Sequence, residues 1–280
     1  MNIDIVKKLL PNTLEGLKWG LTHFDGVEFD IRLSGQRSLV IHHDPITVDD
    51  KLISSMKNSD LKANNLFLLE ELLMDKDIIS SLKNGKYLWI ELKPNCEGKK
   101  NKSRLIADKL YSQLINELDN TKFPKKNIRI LSFSKDLLDP VAQDNELKAY
   151  PILPYINECN MKFVLFKALP RVIYRSLKSH LEECVRKNYK GVLFARQYIL
   201  GPLALRHPSY EKLTELMSQM DLELGSNLGK VELESEFPLF HRFSDKTDKY
   251  PRLAKKGEGQ IIAHRGTGTK GVLIPNNEET

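Results

Sequence analysis

Two hydrophobic periods alternate along this chain, and each dictates a different backbone. In Val27–Leu33, VEFDIRL, the apolar residues Val27, Phe29 and Ile31 recur at every second position, the mark of a strand with one buried face. In Asn12–Phe24 the leucines at 14, 17 and 21 gather on one side of a helix. A second strand, Ser38–His43, follows a glycine-containing turn, and Asn65–Leu82 reads as one long amphipathic helix before the turn Asn84-Gly85. Tyr87–Lys93 is a third strand ended by Pro94, Ser103–Leu118 a helix, and Ile128–Phe133 a strand. Further on, the pattern predicts strands at Lys148–Leu153, Gly191–Phe194 and Leu222–Asn227, and helices at Lys178–Lys187 and Pro208–Met220. Gln260–Ala263 is a last short apolar run. Strands separated by helices predict a parallel sheet closed into an eight-stranded (β/α)8 barrel of the TIM type. The 280 residues then form one domain, residues 1–280, close to the roughly 250 residues typical of such barrels.

Composition narrows the function classes. With 41% hydrophobic and 29% charged residues the chain can bury a full core, and a disordered chain is excluded. No segment recurs at a fixed period, so a repeat array is not expected. The net charge of +6 comes from 43 basic and 37 acidic residues that interleave almost everywhere. The densest basic patches, Lys99-Lys100-Asn101-Lys102 and Lys125-Lys126, read as solvated loops rather than a stripe with aromatic partners, so no nucleic-acid partner is expected. The three cysteines, Cys96, Cys159 and Cys184, have no disulfide or zinc-site spacing. Met1–Leu10 has its lysines inside the apolar stretch, unlike a secretory signal, and no run of about 18 apolar residues occurs. A cytoplasmic location is expected.

The charged positions on the strands carry the chemistry. Side chains two apart share a face, so Glu28 points with Asp30, Glu91 with Lys93, and His43 with Leu39 and Ile41, just before Asp44-Pro45. In a parallel barrel the C-terminal strand ends meet at one mouth, where these groups converge. Three carboxylates make a hard, oxygen-rich site suited to Mg²⁺ or Ca²⁺. Lys93 would repel that ion unless an anion lay between, and a phosphate satisfies both. His43 can then move a proton, with a reference pKa of about 6.5. The alternative is ordinary surface charge on an amphipathic sheet. Three charged pairs on successive strands weigh against it, since inward charges need partners.

The run Pro11–Asp44, PNTLEGLKWGLTHFDGVEFDIRLSGQRSLVIHHD, resembles the glycerophosphodiester phosphodiesterases, with a PENT-type helix start, a Glu-x-Asp strand and a strand ending in His-Asp. Ile90–Pro94, IELKP, matches their next metal-binding strand, and Ile130–Ser134, ILSFS, the one after. Their first strand carries His-Arg-Gly, which here stands at the other end, in Gln260–Gly266, QIIAHRG, followed by TGTKGVLIPNNEET. The resemblance therefore implies a circularly permuted barrel whose first strand is C-terminal. It also implies roles. His264 and His43 become the general acid and base pair, Arg265 binds the phosphate, Glu28, Asp30 and Glu91 hold the divalent cation, and Lys93 contacts the phosphoryl oxygens. The implied reaction is hydrolysis of a small glycerophosphodiester to glycerol 3-phosphate and an alcohol, with either water or the substrate's 2-hydroxyl attacking. The family's Trp-Thr element on the last strand is missing; Glu223–Gly229, ELGSNLG, stands there, with Ser226 or Asn227 as substitutes.

Two other functions compete. A phospholipase D-like or lysophospholipase D activity would need an apolar surface at the mouth. Met161–Leu177 mixes basic residues with Phe163, Leu165 and Phe166, but reads as barrel packing interrupted by Pro170 rather than as a membrane contact. A catalytically inactive phosphodiester-binding module is the other, and retention of every charged motif residue argues against it. His42, His23, His180, His207 and His241 fall outside the motifs and read as structural.

Overall fold

The computed structural model describes residues 6–95, 101–153, 177–194, 217–226, 240–244, 259–268 and 270–275. The chain opens with β1 (Val6–Leu9), α1 (Leu14–His23), β2 (Gly26–Leu33), β3 (Leu39–Ile41), α2 (Asn58–Ala63) and β4 (Phe67–Leu68). Next come α3 (Leu69–Leu73), α4 (Lys76–Lys83), β5 (Tyr87–Leu92), α5 (Asn101–Asn120), β6 (Ile128–Ser132), α6 (Lys135–Leu138) and β7 (Lys148–Leu153). The remainder gives α7 (Leu177–Arg186), β8 (Gly191–Phe194), β9 (Glu223–Ser226), β10 (Phe240–Ser244), β11 (Ile261–Ala263) and β12 (Val272–Pro275).

Parallel pairing runs in the order β2, β5, β6, β7, β8, β9, β10, β11, and then returns to β2. The last of these in sequence is the closing stave. β11 pairs with β10 on one edge (Phe243↔Ile262) and with β2 on the other (Ile262↔Gly26, Ala263↔Val27). Asp25 strengthens that seam, because its backbone N–H donates to Ile261 O at 2.9 Å and its carboxylate accepts from Ile261 N at 2.7 Å. The architecture is a TIM-type barrel, as the alternating pattern predicts. Closure removes the edges that an open parallel sheet would expose.

Alternation divides each strand between two environments. Val27, Phe29 and Ile31 of β2 and Leu88, Ile90 and Leu92 of β5 share the large core with α1, α4 and α5. The opposite face of β5 carries Trp89, which packs on Tyr150 at 4.9 Å and edge-on to Phe243 at 5.1 Å between ring centroids. With Leu131, Ile152, Leu193 and Ile262 these rings form a second apolar cluster inside the barrel. Glu91 and Lys93 follow Trp89 on the same inward face, nearer the C-terminal end of the strand. The charged layer thus rests on an aromatic floor.

Three local departures have physical causes. The segment predicted as one helix over 65–82 contains β4, α3 and α4, because the Asp75 carboxylate accepts from the backbone of Asp77 and Ile78 and caps a new helix there. Lys18 of α1 holds that cap from outside, 2.8 Å from Asp75. The strand predicted over 38–43 is antiparallel to β2 and ends at Ile41, so it is a hairpin arm rather than a stave. Finally, β1 and β12 pair antiparallel from Val6↔Pro275 to Leu9↔Val272. Such a contact between the two ends of a chain leaves no local period to read. The predicted helix Pro208–Met220 lies outside the described residues except for 217–220, and the Met161–Leu177 segment except for its last residue.

Glu117 on α5 is a burial effect that can be tested. Gln113 donates to its Oε1 at 3.0 Å, and burial pushes the carboxyl up to about 7 from an ordinary 4.5. A native state that holds this proton more tightly than the unfolded chain loses stability as pH climbs from about 4.5 to 7. Glu117→Gln is therefore expected to stabilise the protein at pH 8 by about 1 kcal/mol, after allowance for partial exposure, or about 2 °C in melting temperature. Thermal unfolding at pH 8 and pH 5 checks this, and the gain should vanish at pH 5.

Candidate active site

The inward face of β2 places Glu28 and Asp30 at 1% and 0% exposure, and that of β5 places Glu91 and Lys93 beside them, also buried. One oxygen from each carboxylate lies within 4.8 Å of the other two. Lys93 Nζ sits 2.5 Å from Glu91 Oε1 and 3.3 Å from Asp30 Oδ1, with the Phe133 ring 5.6 Å away. So much anionic charge away from water is tolerable only with cations this near.

The turn after β11 supplies the other side. His264 Nε2 lies 3.5 Å from Glu28 Oε2, and that same oxygen accepts from Arg265 N at 3.1 Å. The Arg265 side chain reaches Asp30, with Nε 3.3 Å from Oδ2. Arg265 adopts φ +52°, a left-handed conformation uncommon for a non-glycine residue. The turn lies directly on α1. A Cβ added at Gly20 would stand 2.6 Å from Gly266 O, and Gly266 itself has φ +77°. Only glycine at both positions lets the turn and the helix approach this closely.

His43 arrives by the hairpin. The β2–β3 arm runs back alongside β2 until His42 N donates to Asp30 O at 3.0 Å, so His43 stands at the level of Asp30. The sequence pattern predicts His43 at the end of a parallel stave; the antiparallel return of β3 brings it instead to the level of Asp30. Its Nδ1 is 2.9 Å from Asp44 Oδ1, and its side chain is 38% exposed.

Burial dominates the electrostatics. It pushes Glu28 up to about 7, assisted by the negative charge on Asp30 and opposed by His264 and Arg265. Burial would raise Asp30 too, but Lys93, His43 and Arg265 outweigh it and hold this carboxyl well below the usual range. The imidazole of His43 is lowered, first by burial, although Asp30 pulls the other way.

The arrangement fits a hard cation. Glu28 Oε2 and Asp30 Oδ2 are taken by Arg265 N and by the Asn12 side chain. Glu28 Oε1 and Asp30 Oδ1 are buried and accept no hydrogen bond among the described residues. Glu28 Oε1 is thus open to a metal, whereas Asp30 Oδ1 and Glu91 Oε1, 3.3 and 2.5 Å from Lys93 Nζ, would share that ammonium with the ion.

Two residues escaped the sequence reading. Asn12, read only as part of a helix start, donates through Nδ2 to Asp30 Oδ2 at 2.9 Å and through its backbone to Arg265 O at 3.0 Å. It joins the closing turn to β2. Arg32 continues the inward face of Glu28 and Asp30, and its guanidinium binds the carbonyls of His43 and Pro94. The same alternation that selected 28 and 30 also points to 32. Of the remaining histidines, His23 stacks on Trp19 at 4.4 Å, His42 binds Asp44 O, and His180 is buried on α7. Ser226 ends β9, paired with Arg242 of β10, while Asn227 and His207 lie outside the described residues.

Comparison with known proteins converges on one family. The glycerophosphoryl diester phosphodiesterase family profile matches residues 6–198, ending before the strand that leads to His264. Among curated proteins no sequence match is found. Among solved structures, the glycerophosphodiester phosphodiesterase of Thermotoga maritima aligns over 92% of this chain and 89% of its own, at 18% identity and TM-score 0.56. One from Parabacteroides distasonis covers 80% of each chain at 15% identity and TM-score 0.53. Another, from Agrobacterium tumefaciens, covers 80% of this chain and 83% of its own at 14% identity and TM-score 0.51. These likenesses establish the barrel, and the profile, spanning more than half of the chain, establishes the lineage. The chain belongs to the glycerophosphoryl diester phosphodiesterase family, a family of phosphoric diester hydrolases.

Proposed function

We propose that this chain, as one barrel domain over residues 1–280, is a divalent-cation-dependent enzyme that hydrolyses glycerophosphodiesters to glycerol 3-phosphate and an alcohol. One observation carries the reading. The turn holding His264 and Arg265 lies against Glu28 and Asp30, so acid–base, cationic and metal-ligating groups from opposite ends of the chain share one mouth. We infer further that the barrel is circularly permuted relative to its family, since the His-Arg-Gly stave is contributed last. The parallel pairing of β11 with β2 supports this.

Glu28, Asp30 and Glu91 would hold Mg²⁺ or Ca²⁺, which supplies Lewis-acid stabilisation of the phosphoryl oxygens when bound. Every other step belongs to the protein. A phosphodiester carries a negative charge that repels nucleophiles, and Arg265 and Lys93 offset it as charge builds toward the transition state. His43, whose pKa burial lowers, removes a proton from attacking water or from the substrate's own glycerol C2 hydroxyl. In the second case the alcohol leaves behind a cyclic phosphate that water then opens to glycerol 3-phosphate. His264, 3.5 Å from Glu28 Oε2 at the mouth of the barrel, is the group that would protonate the departing alkoxide. The aromatic floor of Trp89, Tyr150 and Phe243 closes the site from below and excludes water from that side.

Turnover of glycerophosphocholine with Mg²⁺ or Ca²⁺, against the same reaction with chelator, tests the reading. Release of glycerol 3-phosphate that chelator abolishes is expected. Release unaffected by chelator removes the metal from the account, and no release at all removes the activity.

A further inference from the structure

We propose that Arg32 is a positioning residue, whose guanidinium ties the main chain of His43 to the end of β5 and so fixes the imidazole relative to Asp30. The inference rests on the reading above, in which His43 moves a proton.

Arg32 is 3% exposed and is the third charged residue on the inward face of β2. Its Nε donates to His43 O at 2.9 Å, Nη2 donates to the same oxygen, and Nη1 donates to Pro94 O at 2.7 Å. Pro94 directly follows Lys93, so one planar group spans the two loops that carry a proton-transfer residue and a phosphate-binding one. The loop at His43 needs such a tie. β3 ends two residues earlier at Ile41, the last backbone bond to β2 is at His42, and Asp44 beyond it is exposed. A guanidinium offers several donors in a fixed fork, which an ammonium does not reproduce. Burying it costs desolvation that a leucine at this strand position avoids, so stability alone does not account for an arginine here.

The test compares Arg32→Met, Arg32→Lys and His43→Ala with the parent protein, using glycerophosphocholine. Arg32→Met is expected to lower kcat about 10- to 100-fold, the order of loss that a displacement near 1 Å produces. KM should stay within about 3-fold, because Lys93 and Arg265 keep their ion pairs with Asp30 and Glu91. The rise in melting temperature on adding Mg²⁺ or Ca²⁺ should persist, since Glu28, Asp30 and Glu91 remain. Guanidinium chloride at low concentration should restore part of kcat, and equal sodium chloride should not. Arg32→Lys keeps the charge but not the fork and should also lose kcat, so it decides the matter if Arg32→Met does not fold. A parental kcat in either folded variant overturns the proposal, as does loss of the metal response together with activity, which would make Arg32 a general strut. Should His43→Ala retain parental activity, the role of His43 itself fails. An inactive His43→Ala beside a fully active Arg32→Met sinks only the role of Arg32.

Discussion

Replacing His264 with alanine is expected to reduce glycerophosphocholine turnover by about 10²–10⁴-fold, the usual contribution of a positioned acid or base. The alkoxide leaving group of a phosphodiester departs poorly without a proton, and in the proposed mechanism His264, 3.5 Å from Glu28 and on the same turn as Arg265, gives it one. The substitution leaves the β10–β11 and β11–β2 pairings intact, because these are backbone contacts at 261–263. The carboxylate cluster also survives, so Mg²⁺ or Ca²⁺ should still raise the melting temperature. Steady-state turnover and thermal unfolding on one preparation check both halves. Undiminished turnover would mean that the closing strand contributes only structure.

Glu91→Gln should have an effect of similar size by another route. The variant keeps the shape of the side chain but removes a charged oxygen from the proposed three-carboxylate metal site. Charge stabilisation by a bound ion amounts to several kcal/mol, so activity should fall on the order of 10²–10³-fold at modest metal concentration. The metal-induced rise in melting temperature should largely disappear, in contrast to His264→Ala. Lys93 keeps Asp30 at 3.3 Å as its anionic neighbour, so the fold should hold. Calorimetric titration with Mg²⁺ or Ca²⁺ gives the direct reading, and affinity equal to the parent's would show that the ion does not use β5.

The parts of this site carried by strand alternation were legible in the sequence. Glu28 with Asp30, and Glu91 with Lys93, follow from a period of two together with the rule that parallel strand ends share a mouth. The His-Arg-Gly run was legible as a motif, and the barrel needs a stave between β10 and β2 that β11 fills. Other features were hidden because long-range contacts decide them. Nothing local in PNTLEG indicates that Asn12 will bridge Asp30 and Arg265, since both partners are distant in sequence. The β1–β12 pairing is invisible for the same reason. The break of the 65–82 segment was readable in principle: Asp75 stands where a capping residue belongs, but the continuous apolar stripe masked it. The hairpin return of β3 needed the tight turn after Leu33 to be weighed against the expectation of parallel order.

The proposed mechanism requires the closing turn to stand beside the acidic cluster when the ion is in place. Mn²⁺, a hard paramagnetic cation that accepts carboxylate ligands, can report this through nuclear magnetic resonance of histidine-labelled protein. Added Mn²⁺ should broaden the His264 and His43 imidazole signals, assigned by their single substitutions, while leaving His23 sharp, and Glu91→Gln should suppress the effect. A His264 signal that stays sharp while Mn²⁺ binds would place β11 away from the ion and contradict the proposed mechanism.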